Sequence, residues 1–144
     1  MSADGSITLV WGDGPNKFKF GIGQFRELQE RVNTRRVAIG APLVGPMSLV
    51  NLLKANDAWP DDARDILMLG LIGADMPLNA AHRKMVKYFD GEAPLIHMTT
   101  ALAVLMAGLA GAPGDELSKK KTVTTNPTST PPSSSQDSTG PALQ

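Results

Sequence analysis

The sequence predicts a mainly helical α+β fold: an N-terminal β-hairpin, then a bundle of about five helices. Three observations carry this prediction. Apolar residues alternate in two short runs, Ser6–Trp11 and Lys17–Phe20, on either side of a cluster of turn residues. From Gly21 onward, apolar residues recur at helical spacing in segments separated by Gly and Pro. After Leu117 the composition changes. Residues 118–144 hold 6 Ser, 6 Thr, 4 Pro and 1 Gly, 17 of 27 positions, and no aromatic residue. Such a segment cannot offset the entropy cost of ordering. The expected organisation is one domain over 1–117 and a disordered tail over 118–144, in a chain of 144 residues, long enough to bury a core.

Charge and composition exclude several classes. Basic and acidic residues balance at 14 each, which argues against a nucleic-acid protein. The absence of cysteine excludes disulfides and thiolate metal sites. The opening MSADGSITLVWGDG has neither a basic nor an apolar leader region, so no secretory signal is expected and a cytoplasmic location follows. Residues 93–114 carry no formal charge, but they are rich in Ala and Gly and bounded by Pro94 and Pro113. They read as a buried bundle helix, because a spanning helix needs about 20 strongly apolar residues.

In the hairpin, Ile7, Leu9 and Trp11 share one face of the first strand, and Phe18 and Phe20 point inward from the second. Pro15 argues against a two-residue connection, so a loop of about four or five residues is expected. Gly12-x-Gly14 lacks a third glycine and any following Gly-Lys-Ser/Thr; it reads as a turn, not a phosphate loop. The first helix is expected over Gly21–Asn33, with Ile22, Phe25, Leu28 and Val32 inward and a Glu27–Arg31 pair outside. Thr34–Gly45 reads as a loop with a short extended piece. Arg26, Arg31, Arg35 and Arg36 form a basic region there, read as a solvated face.

Pro46 opens a second helix, Met47–Ala55. The central helix is Trp59–Met76, WPDDARDILMLGLIGADM. Pro60 suits its first position, and Asp61, Asp62 and Asp65 suit the positive end of its dipole. Ile66–Ala74 is uncharged on all sides, which predicts burial. Gly70 and Gly73 each cost about 1 kcal/mol against Ala in a helix, so their presence points to close approach by another backbone. A fourth helix is expected over Leu78–Phe89, with Ala81, Met85, Val86 and Phe89 inward and Arg83, Lys84 and Lys87 in water. A fifth spans Pro94–Leu109.

No catalytic, cofactor or metal site is marked. His82 and His97 lie on different helices without a nucleophile or carboxylate partner in view, and read as ordinary surface or packed histidines. Asp57, Asp61, Asp62 and Asp65 lack the alternating-oxygen loop of a hard-cation site.

Ala63–Met76, Ala80–Ala81, Val86-x-Tyr88, Pro94–Leu95 and Ala101–Gly111 carry a resemblance, together with Trp11–Gly14, Phe25–Glu30 and Gly45–Pro46. Over about residues 6 to 111 the chain resembles the gene-transfer-agent-type family of phage tail assembly chaperones, also labelled phage tail tube protein. Gly70-Leu71-Ile72-Gly73 is the most specific part. Where the family continues with glycine before the methionine, this chain has Ala74-Asp75.

The resemblance implies a non-enzymatic role without cofactors. Such a chaperone coats the tape measure protein in the host cytoplasm, assists assembly of the tail tube protein and is absent from the mature virion. Trp59, Leu69, Gly70, Leu71, Ile72 and Gly73 are the candidate partner-binding residues. Residues 1–60 carry 7 basic and 5 acidic side chains and residues 61–117 carry 4 and 8, an asymmetry that suits a homo-oligomer. Neither nucleic acid nor a membrane is an expected partner. The alternatives are a structural tail component and a small DNA-binding adaptor. Lys119–Lys121 reads as a basic spacer, or as a slippage site for a longer product, a choice that the codons decide. A chain ending at Leu117 is expected to keep the helical circular dichroism of the full chain; a collapsed spectrum would place part of the fold beyond that boundary.

Overall fold

Strands β1 (Ser6–Trp11) and β2 (Gly14–Lys19) pair antiparallel, with Trp11 opposite Gly14 across a two-residue loop. This computed structural model describes residues 4–111. Gly12 takes φ +69, the conformation of a Gly-X hairpin turn. The expected longer loop is therefore corrected. Pro15 pairs with Val10, one step from the Trp11–Gly14 pair that closes the turn. Hydrogen-bonded and non-bonded pairs alternate in an antiparallel ladder, so the N–H that proline lacks is one that would point away from β1. Buried Asn16 donates to the Trp11 carbonyl at 2.7 Å and braces the turn from inside.

Helix α1 spans Ile22–Ala38 and so absorbs the first part of the segment read as a loop. It closes by a Schellman motif: Gly40 N–H bonds the Val37 carbonyl at 3.1 Å, and Ala41 N–H bonds Arg36 at 2.8 Å. Gly40, at φ +71, is the residue that permits this turn. Ala41–Gly45 then runs to the next helix, pinned by Asn33, which both donates to and accepts from the Val44 backbone. Ile22, expected inward, is exposed at the first position of α1.

Helices α2 (Pro46–Lys54) and α3 (Pro60–Gly73) both start on proline. Both end in the same motif as α1, now with Asn56 (φ +56) and Asp75 (φ +75) in the left-handed position. Asp75 thus occupies a conformation that glycine adopts without steric cost and an L-residue does not.

Helix α4 (Leu78–Lys84) continues as a π-helical turn, Met85–Phe89. Ala81, Met85 and Phe89, four residues apart, share the buried face, and Val86, expected inward, is exposed. Lys84, expected in water, bridges to Asp13 in the hairpin loop at 2.7 and 2.8 Å. A 3₁₀ turn, Pro94–His97, leads into α5 (Met98–Ala110). No described helix is long and apolar enough to cross a membrane. The expected tail over 118–144 and the Lys119–Lys121 run lie outside the described residues.

The core is built around α3, which packs on β2, α5, α1 and α4. Ile66, Leu67 and Leu71 are fully buried. A methyl group at Gly70 would stand 3.0 Å from Val104 Cγ1 and 3.1 Å from Phe18 Cβ, while one at Gly73 would overlap the Lys19 carbonyl oxygen. The bare strip on α3 is thus filled by the hairpin and by α5. Two substitutions in α3 and its cap should have opposite signs. Gly73→Ala gains helix propensity but is expected to lose a net 1–3 kcal/mol by overpacking against β2. Asp75→Gly is expected to gain roughly 0.5–1 kcal/mol by relieving the left-handed turn. Chemical denaturation reads both; a stabilised Gly73→Ala protein would show that β2 does not rest on α3.

Candidate functional site

The first turns of α3 face α1 with two carboxylates, and α1 answers with two guanidinium groups. Asp62 and Asp65 are three residues apart and Arg31 and Arg35 four apart, so each pair shares one helix face. Arg35 Nη2 donates to Asp62 Oδ1 at 2.7 Å and lies 2.7 Å from Asp65 Oδ2, an ion contact without hydrogen-bond alignment. Arg31 Nη1 reaches Asp65 Oδ1 at 3.3 Å while its Nε bonds Glu27 at 2.9 Å. Burial works against the Arg35 charge, but the hydrogen bond to Asp62 and the nearby charges of Asp62 and Asp65 outweigh it and hold the guanidinium above its ordinary pKa. Both aspartates are buried. This corrects one expectation: Arg31 and Arg35 are not a solvated face but pair with the carboxylates at the start of α3. Arg64 makes a third link, bonding Asp90 through both oxygens at 2.8 and 3.0 Å. Asp57 is exposed, and among the described residues no group of His, Asp or Glu is placed to hold a metal ion.

Beside this ion cluster the last turn of α1 and the start of α3 enclose a groove of about 540 Å³. Ile39, Ala38, Trp59 and Pro60 give it apolar walls, and Arg35, Arg36, Asp61 and Asp62 its polar ones. Trp59 is 65% exposed and Ile39 68% exposed, and Val37 on the same turn is 66% exposed. Ile39 and Trp59 thus leave an exposed apolar patch at this groove. A second groove of about 480 Å³ lies between α1, the start of α2 and the end of α5, walled by Ile22, Phe25, Val32, Val44, Leu49 and Leu109.

The structure separates the six candidate partner-binding residues. Trp59 stands on the surface at the first groove. Leu69, Gly70 and Leu71 are buried, and Ile72 and Gly73 are partly covered. The five helical residues therefore serve packing within this chain. The exposed α1 turn, Val37 to Ile39, was missed in the sequence. Its signal was Gly40 followed by Pro42, a helix stop placed after rather than before the apolar run.

The histidines also separate. His82 is exposed on α4, whereas His97 is buried at the start of α5. Its Nδ1 accepts the indole N–H of Trp11 at 3.0 Å, and its ring stacks on Phe89 at 4.4 Å between centroids. Trp11 in turn meets Phe18 and Tyr88 edge-on at 6.1 and 6.0 Å.

A family model described as phage tail tube protein, GTA-gp10, matches residues 4–111. No curated protein and no solved structure matches the chain.

The ion cluster yields a stability test. Arg35→Leu leaves two buried carboxylates facing an apolar side chain. Breaking a buried pair costs about 3–5 kcal/mol. The Arg35 side chain is 37% exposed, so water screens part of this. The expected loss is roughly 2 kcal/mol, against about 0.5 kcal/mol or less for exposed Arg26→Leu. Equal denaturation midpoints for the two variants would contradict the cluster's structural role.

Proposed function

The chain belongs to the phage tail protein family described as phage tail tube protein, GTA-gp10, and on that premise we propose that it is a tail assembly chaperone. In this reading it acts in the host cytoplasm without enzymatic chemistry, shields apolar segments of the tape measure protein, assists polymerisation of the tube protein and leaves before the tail is complete. One observation carries the proposal: the exposed apolar edge of Ile39 and Trp59, which line one groove on a helical body with a buried core of its own. A helix presenting apolar residues at i, i+3 and i+4 is the partner chemistry that suits such a groove. The groove's opposed charges, Arg36 and Asp61, flank its apolar floor and give the rim polarity that a reversible contact needs.

The adaptor alternative has weaker support. Arg31 and Arg35 are engaged by carboxylates and Arg36 Nε by the Pro42 carbonyl, so phosphate binding would compete with existing partners. A second reading, a structural tail component, is favoured by the family's description as tube protein. Against it stands the architecture: tube rings close through sheets, and the described residues hold a single two-stranded one.

Co-expression with tape measure fragments is expected to keep them soluble, and the double variant Ile39→Asp, Trp59→Asp is expected to return them to the pellet while remaining folded itself. Fragments that stay insoluble at moderate salt would count against the chaperone reading. Recovery of the protein in stoichiometric amounts from purified particles would favour the structural one.

A further inference from the structure

Trp11 stands at the end of β1, and its indole N–H is a donor with no acceptor capacity. Its partner, His97 Nδ1, must therefore present a lone pair, which fixes the imidazole as neutral with its proton on Nε2. Nε2 has no hydrogen-bond partner among the described residues. The ring is buried, stacked on Phe89 and edge-on to Trp11.

The charged groups around it are few. Neither β1 nor α5 carries an ionisable side chain. The π-helical turn carries Lys87 and Tyr88, with the Lys87 ammonium over the Tyr88 ring at 5.4 Å. On α4, Lys84 is bonded to Asp13 of the hairpin loop, and His82 is exposed. Asp90, after Phe89, is bonded to Arg64. Glu92 is the acid that faces the ring, with Oε1 3.8 Å from Nε2 and the side chain half exposed.

We propose that the Trp11–His97 hydrogen bond is a protonation-sensitive latch between the hairpin and the helices. In the neutral state the imidazole lone pair holds the indole N–H and docks the hairpin tip. A proton added at Nδ1 turns the acceptor into a second donor aimed at the first. The hydrogen bond is then lost, and the new cation is drawn toward Glu92 and solvent. The hairpin tip keeps its Lys84–Asp13 bridge, so release begins at the indole and not at the loop.

The direction of the pH effect follows. Burial lowers the His97 pKa below its ordinary 6.5, and Glu92 offsets this in part. The latch's contribution to stability is fully present above pH 6.5 and is lost as the pH falls through the lowered value.

Nuclear magnetic resonance of the full chain tests this without a variant. Its two indole N–H signals come from Trp11 and Trp59. The Trp11 signal is expected to shift and to exchange faster with water at the midpoint at which the His97 ring protons titrate. Exposed Trp59 and His82 serve as internal references. In His97→Gln, whose side-chain oxygen supplies a non-titrating acceptor, the Trp11 response is expected to disappear. A Trp11 signal that stays constant through the His97 midpoint overturns the proposal, as does a response that survives in His97→Gln. Far-ultraviolet circular dichroism that collapses at the same midpoint also overturns it, since that marks global unfolding and not release of a latch.

Discussion

The fold rests on the contact between the second strand of the hairpin and the central helix. Gly73 lets the Lys19 backbone reach the surface of α3, and Gly70 leaves room for Phe18 and Val104. A two-stranded hairpin has little stability alone in water, and an uncharged helix has no face to offer solvent. Each supplies what the other lacks. The hairpin gains a floor for Phe18, and α3 gains a cover over positions where it carries no side chain. The remaining helices close the sides of this pair.

Polar links then fix the angles at which these parts meet. Arg31 and Arg35 join α1 to α3, Arg64 joins α3 to the end of the π-helical turn, and Lys84 joins α4 to the hairpin loop. The hydrogen bond from Trp11 to His97 adds a neutral link at the start of α5. Such contacts add modest stability individually, and each is directional. The surface left over is uneven. It holds Ile39 beside Trp59, both largely exposed.

Much of the fold was legible in the sequence because local rules and burial agreed there. Pro46 and Pro60 start their helices, and the alternation in Ser6–Trp11 marks the strand. Errors arose where a local rule was applied without its geometry. Pro15 was read as a bar to a tight hairpin, yet it sits where the ladder requires no donor. The loop expected from Thr34 is helix as far as Ala38, because the helix runs on until Gly40 lets it close. Val86, expected inward, lies about 100° around the helix from the face shared by Ala81, Met85 and Phe89, and is exposed.

The candidate site shows the same division more sharply. The sequence by itself determined that Trp59 precedes a helix start, that Gly70 and Gly73 need a close neighbour, and that Asp62 and Asp65 share a face. Each of these follows from spacing along one helix. Only the tertiary structure decided which neighbour came: the chain's own hairpin for the glycines, Arg31 and Arg35 for the carboxylates, and none of the described residues for the exposed face of Trp59. A helix repeats every 3.6 residues whatever lies beside it, so its sequence tells which residues share a face. What that face meets is set by contacts between segments 27 to 86 residues apart, as Arg35–Asp62 and Trp11–His97 show, and no local pattern encodes those distances.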